Sequence, residues 1–172
     1  MTGYDTGFER ELKGILQGDE KTIGASIKSC TPLEREAYMK IIQHPFMVVR
    51  AAGSLGVDLV AIRHDFSFPI EVKTSAEKVL RFSRSEHLQE QVANVAEECR
   101  RAGVIPIYAY RLRDRSATDK WRVFAIPTGN LSGRAALLYD RIPKPDVTPE
   151  GNMVLRWESG MPLSKFIEYL CL

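Results

Sequence analysis

Residues 48 to 75, VVRAAGSLGVDLVAIRHDFSFPIEVKTS, constrain this chain more than any other stretch. Asp58 opens a Leu-Val-Ala-Ile run of strand character, and a short turn through His64, Asp65 and Ser67 leads into a second run, Phe68 to Val72. The pair reads as a hairpin. In an extended strand alternate residues share a face, so Glu71 and Lys73 point one way while Ile70 and Val72 point into a core. Two carboxylates, Asp58 and Glu71, and one amine, Lys73, therefore converge.

That set suits hydrolysis of a phosphodiester. The reaction needs an activated water and a partner for charge growing on phosphate oxygens, and Mg²⁺ supplies both. Mg²⁺ takes oxygen ligands and keeps several waters, so one or two carboxylates and a phosphate oxygen suffice. Asp58 and Glu71 fit as ligands, and the Lys73 ammonium can position the water or hold the developing charge. The plainer reading is a salt-bridged hairpin on a solvated face. An E-x-K triplet alone occurs by chance in many strands; an aspartate opening the preceding strand after a glycine-rich turn adds to it.

Charge and composition limit what surrounds such a site. With 172 residues, 44% of them hydrophobic, the chain suits one domain with a real core. No apolar run reaches the roughly 20 residues of a membrane span, and the N-terminal segment lacks the basic and apolar regions of a secretory signal. A cytoplasmic protein without membrane contact is expected. Cys30, Cys99 and Cys171 are far apart and odd in number, as expected of free thiols. Net charge is only +2, so any nucleic-acid surface rests on where the cations fall. From Arg100 to Arg122 there are seven basic residues against Asp114 and Asp119. A second cluster, Lys78, Arg81 and Arg84, follows the Glu-Val-Lys strand in an expected loop punctuated by Ser75, Ser83 and Ser85. Such side chains can hold phosphates beside a scissile bond; the plain alternative is a solvated loop and hairpin tip.

Patterning predicts helices over residues 7 to 17 and 32 to 43, with a partly helical stretch between, and strands at 46 to 51, 57 to 63 and 68 to 73. From Ser85 to Arg101 the residues Leu88, Val92, Val95 and Cys99 recur at helical spacing, with Gly103 as a stop. Strands are expected at 104 to 110, 121 to 126 and 153 to 157, with a short one at 136 to 142 inside a Gly/Pro-rich connection. Pro162 is expected at N1 of a terminal helix. The order gives an α/β sandwich around one mixed sheet. His44, His64 and His87 follow no metal-ligand spacing. Gly53-Ser54-Leu55-Gly56 lacks the ending of a nucleotide loop. Gln89 and Gln91 can face the site from the start of the long helix, with helix surface as the plainer reading, and Trp121 and Trp157 serve equally as core or as stacking residues.

The pattern Asp58-x12-Glu71-x-Lys73 resembles the PD-(D/E)xK nucleases, and VVRAAGS before DLVA resembles the archaeal Holliday junction resolvases. Trp121 to Phe124 and MVLRWESGMPLSKFIEYL look like that family's later strand and closing helix. Val57 stands where the PD form has proline, a position that is not a ligand. The resemblance implies a restriction-endonuclease-like fold, a central mixed sheet flanked by helices, in one nuclease domain over residues 1 to 172 with a helical insertion at about 19 to 43. It implies a Mg²⁺ cofactor, with Mn²⁺ as a substitute, and branched DNA, a four-way junction, as partner. A junction nicked on two symmetry-related strands calls for a homodimer with two identical sites.

The family also carries a glutamate on its first helix that completes the metal site, and two settings match it. Phe8-Glu9-Arg10-Glu11-Leu12 has the closer flanking sequence; Leu33-Glu34-Arg35-Glu36-Ala37 has the expected distance to the first strand. Thr6-x-x-Glu9 and Thr31-Pro32-x-Glu34 both also read as capping boxes. Glu9 is favoured. The resemblance then gives Glu9, Asp58, Glu71 and Lys73 as catalytic residues, the three carboxylates as metal ligands, and Arg10, Arg50 and Ser54 as DNA contacts beside Lys78, Arg81, Ser83 and Arg84. Two alternatives remain: a nuclease of the same superfamily acting on flaps, damaged DNA or duplex, and a non-catalytic DNA-binding module.

Overall fold

The computed structural model describes residues 3–51, 56–82 and 85–172. Helix α1 (Gly3–Leu16) turns at Gly18, whose φ of +71° is a left-handed conformation that glycine adopts freely, into α2 (Glu20–Ser26). Asp19 caps α2, its Oδ2 accepting from Thr22 N at 2.9 Å. Helix α3 (Pro32–Met39) begins on a complete capping box and passes into a 3₁₀ turn, Lys40–Gln43. Three antiparallel strands follow, β1 (Met47–Arg50), β2 (Leu59–Ile62) and β3 (Ser67–Ser75). The chain then forms β4 (Val79–Arg81) and α4 (Glu86–Ala102) before returning beside β3 as the parallel strand β5 (Ile107–Leu112). A parallel neighbour needs a crossover of this kind. Strand β6 (Trp121–Ala125), α5 (Gly133–Arg141), β7 (Asp146–Val147), β8 (Met153–Arg156), β9 (Met161–Pro162) and α6 (Leu163–Leu170) complete the order.

The main sheet is mixed, in the order β1-β2-β3-β5-β6-β9, and a smaller sheet runs β4-β8-β7. Alternation along the central strands divides the core in two. Ile70, Ile107, Ala109 and Val123 meet Leu12, Ile15, Tyr38 and Phe166 on one face, beneath α1, α3 and α6. Tyr108, Tyr110, Leu112 and Phe124 meet Leu155 and Trp157 on the other, with Val92 and Ala96 of α4 packed on them. Both tryptophans are core residues. Cys30 and Cys99 are buried free thiols and Cys171 is half-buried. Among the described residues no helix is long and apolar enough to cross a membrane.

The architecture agrees with the expected α/β sandwich, but several local readings are corrected. The stretch 78 to 84, read as a loop, contains β4, which pairs with β8 more than 70 residues later. The strand expected at 136 to 142 is α5: Ala135, Leu138, Tyr139 and Ile142 face the core at the i, i+3, i+4, i+7 spacing of a helix, while Leu137 is 66% exposed. Pro162 is the N-cap of α6 and pairs with Arg122, so it lies one residue before the expected N1. Thr6 lies inside α1, which starts at Gly3, so Glu9 is not the N3 residue of a capping box. The short strand β5 also starts later than residue 104.

The contact of α1 with α2 depends on Gly14. A Cβ there would lie 2.6 Å from Thr22 Oγ1 and 2.8 Å from Thr22 Cβ, and that β-branched side chain is held by Asp19. At Gly7, in the same helix, a Cβ would meet nothing within 4 Å. Gly7→Ala is expected to stabilise the protein by about 0.5–1 kcal/mol, and Gly14→Ala to destabilise it by about 1–3 kcal/mol through overpacking. Urea unfolding checks both; equal effects would contradict the close α1–α2 packing.

Candidate active site

Asp58 sits just before the first ladder pair of β2, Leu59 opposite Ile70, so the same register sets Asp58 against Glu71. Its backbone N–H donates to Ile70 O at 2.9 Å, and its carbonyl accepts from Ala51 N at 2.8 Å. Its side chain is held as well, Oδ2 accepting from Val72 N at 2.7 Å. Glu71 and Lys73, two residues apart on β3, share a face, and Glu71 Oε1 lies 2.5 Å from Lys73 Nζ. Both side chains are largely covered, at 21% and 27% exposure.

Burial pushes the Glu71 carboxyl above the ordinary glutamate range; Lys73 draws it down, and the Asp58 charge raises it again. That balance marks a site where two like charges are held together and one cation offsets them. Next to it, Tyr108 pairs with Glu71 across β3 and β5. The Tyr108 hydroxyl is buried and has no hydrogen-bond partner among the described residues, and burial, then the Glu71 charge, raises its pKa. Phe82 packs against the Tyr108 ring at 5.3 Å, and Lys73 Nζ lies 5.4 Å from the Phe82 ring. A cavity of about 380 Å³ opens here, walled by Glu71, Lys73, Phe82, Gln89, Tyr108 and Asn152.

Gln89 and Gln91, for which helix surface is the plainer reading of the sequence, both border this region. Gln91 packs so closely that a Cβ on Gly56 would lie 2.6 Å from its Cδ, and Gly56 has φ +72°. Glycine is therefore favoured two residues before Asp58 by its left-handed conformation, the Gln91 side chain being able to give way. Gly-x-Asp was the available signal; its partner on a distant helix was not visible. The three histidines are exposed.

The two glutamates have different surroundings. Glu34 Oε2 accepts from Thr31 N at 2.8 Å and Oε1 from Thr118 Oγ1 at 3.0 Å, so it caps α3 and ties it to the β5–β6 connection. Glu9 is 4% exposed, on the helix that packs over β1, β2 and β3, and its Oε2 lies 2.9 Å from Arg50 Nη2. Among the described residues no three His, Cys, Asp or Glu side chains form a metal cluster. Asp58 and Glu71 are brought together; Glu9 is committed to Arg50.

The other expected DNA contacts are scattered. Arg10 and Arg81 are exposed, and the Arg50 side chain is 43% exposed beside Glu9. Lys78 pairs with Glu158 at 2.5 Å and lies 5.7 Å from the Trp157 ring. Ser54, Ser83 and Arg84 lie outside the described residues.

A mixed sheet covered by helices, with acidic side chains at neighbouring strand positions, is the restriction-endonuclease-like fold. The structure of Archaeoglobus fulgidus Hjc, described as a Holliday junction resolvase from an archaeal hyperthermophile, matches it at a TM-score of 0.50 and 22% identity, over 78% of this chain and 92% of that one. A family model for the archaeal Holliday junction resolvases (Hjc) matches residues 25–139. The chain belongs to that family, a family of DNA endonucleases. No curated protein matches it significantly. The matched span takes in Glu34, Asp58, Glu71 and Lys73 and begins after α1, which carries Glu9.

Arg50→Ala would leave the buried Glu9 carboxylate without its cation, at a cost of about 2 kcal/mol once the exposure of Arg50 is allowed for. The double change Glu9→Gln with Arg50→Ala is expected to cost less than Arg50→Ala alone. Chemical denaturation of the four proteins of this cycle measures it; additive effects would contradict the ion pair.

Proposed function

We propose that this protein is a Mg²⁺-dependent, structure-selective endonuclease that resolves four-way DNA junctions by paired phosphodiester hydrolysis, acting as a homodimer. The observation that carries the reading is the Asp58–Glu71 pair, two carboxylates held together against burial and mutual repulsion with Lys73 beside them. A salt-bridged surface hairpin has no use for that arrangement, and neither does a scaffold that only binds DNA.

The donor set fits a hard divalent cation. Asp58 has Oδ2 fixed by Val72 N–H, and Glu71 lies on the adjacent strand, so two oxygen-rich groups are preoriented. Bound there, Mg²⁺ supplies a more acidic water and charge neutralisation on the phosphate. Were Glu71 to hold a cation, Lys73 Nζ, now paired with Glu71 Oε1, would be free to donate to the attacking water or to a phosphate oxygen. Glu9 is the third expected ligand. Arg50 can exchange it for a DNA phosphate, which would free the carboxylate for the metal. The twofold symmetry of a junction supports the dimer, since two identical sites then meet two equivalent strands.

The test incubates the protein and Mg²⁺ with a labelled four-way junction, a flap and a plain duplex. Paired symmetric nicks in the junction alone are expected; preferential cutting of flap or duplex would transfer the activity to another substrate. Asp58→Asn, Glu71→Gln and Lys73→Ala are expected to cut about 10²–10⁴-fold more slowly while still binding the junction. Asp58→Asn cutting at the wild-type rate would contradict the metal site. Glu9→Gln should lose cleavage and Glu34→Gln should keep it, because an amide still serves a cap but is a poor Mg²⁺ ligand. The reverse would make α3 the family's first helix.

A further inference from the structure

A cleft of about 690 Å³ lies between α1, α2 and the β5–β6 hairpin, on a part of the molecule the reaction does not use. Five cations line it: Arg10 from α1, Lys21 and Lys28 from α2 and the segment after it, and Arg111 and Lys120 from the hairpin. Glu11, the one acid lining it among the described residues, is occupied, with Oε1 accepting from Trp121 Nε1 at 3.2 Å and Oε2 lying 3.4 Å from Arg111 Nε. Arg111 is itself a wall, its guanidinium 4.9 Å from the Phe8 ring. Arg10, Lys21, Lys28 and Lys120 form no ion pair with any described residue.

Elsewhere on the surface several cations are matched by carboxylates, as in Lys78–Glu158, Arg100–Glu97, Arg156–Asp146 and Lys165–Glu168, while exposed cations that form no ion pair with a described residue, such as Lys40, Arg81 and Arg113, do not line this cleft. Gathering unmatched like charges in one concavity raises their repulsion and focuses a positive potential there, which is offset when a polyanion fills it. The walls are also fixed. Gly14 lets α2 seat closely on α1 through Thr22, and Ser29 Oγ donates to Thr118 O at 2.7 Å, joining the end of the α2 segment to the hairpin.

We propose that this cleft is a second DNA-backbone site that holds the phosphates of a duplex arm away from the scissile bond, and that the helical segment around α2 exists to build it. The proposal rests on the reading that the protein binds branched DNA. The cleft adjoins the candidate site on two elements: Arg10 follows Glu9 on α1, and Arg111 pairs with Thr74, next to Lys73. The hydroxyls of Thr22, Ser26 and Ser29 already donate to Asp19, Thr22 O and Thr118 O, so the cations alone are left for the phosphate oxygens, where each lysine acts as a point charge.

The test measures binding by fluorescence anisotropy, with divalent metal withheld so that nothing is cut, across a salt series. The triple variant Lys21→Gln, Lys28→Gln, Lys120→Gln is compared with wild type and with Lys165→Gln, all checked for an unchanged melting temperature. On a long-armed junction the triple variant is expected to bind at least about tenfold more weakly at 0.1 M salt, with the slope of log K against log salt reduced by about 2.7, or 0.9 for each phosphate no longer neutralised. Lys165→Gln should behave as wild type. On a junction with arms of about six base pairs, wild type and the triple variant should converge. Wild-type affinity and slope in the triple variant, or an equal loss on short arms, would overturn the proposal. Tighter binding of an oligo-glutamate peptide than of DNA would overturn it in favour of a protein partner. A wild-type protein that bound with this salt dependence but left junctions uncut in Mg²⁺ would remove the endonuclease reading and leave the cleft standing.

Discussion

The antiparallel register of β2 on β3 is the constraint on which everything else depends. Leu59 opposite Ile70 brings Asp58 to Glu71, and Val72 N–H locks the aspartate in place. A slip of one residue would turn Glu71 and Lys73 into the apolar layer and Ile70 and Val72 out of it. The register is therefore held by the core itself: Ile70 is buried among the residues beneath α1 and α6, and Val72 packs against them. Stability and chemistry are thus set by alternate residues of the same strand.

The cost is local. Glu71 is covered, faces a second carboxylate, and is relieved by a single ammonium at 2.5 Å. Tyr108 beside it has a buried hydroxyl with no partner among the described residues. Such unsatisfied groups are rare in a folded core and concentrate where a bound group completes the set. The α4 side of the sheet, with Gln89 and Gln91 bordering the cavity and Gly56 pressed against Gln91, encloses this region. The α1 side supplies Glu9 with its own cation.

How much of this was legible depended on distance along the chain. Strands β2 and β3, Asp58, Glu71 and Lys73 were readable because they form one hairpin whose period and turn lie within 30 residues. Helix α4 was readable from its apolar spacing, its Ser85 cap and its Gly103 stop. Strand β4 was not, because Val79–Arg81 becomes a strand only through pairing with Met153–Arg156. Helix α5 was misread because Ala136 to Ile142 is apolar enough for a strand, and only its one-sided burial reveals the helix. The capping-box reading of Glu9 failed because α1 begins earlier than its threonine, and a short motif carries no information about where a helix starts. The role of Gly14 was invisible for a related reason: it is required by Thr22, a side chain on another element.

The central claim is that Asp58 and Glu71 together hold a divalent cation. Crystals soaked in Mn²⁺ test it directly, through the metal's anomalous scattering. The expected result is a peak bound by Asp58 and Glu71, with Lys73 Nζ withdrawn from Glu71 Oε1. A fully soaked crystal with the Glu71–Lys73 pair intact and no peak there, or with the metal bound at Glu34, would contradict it.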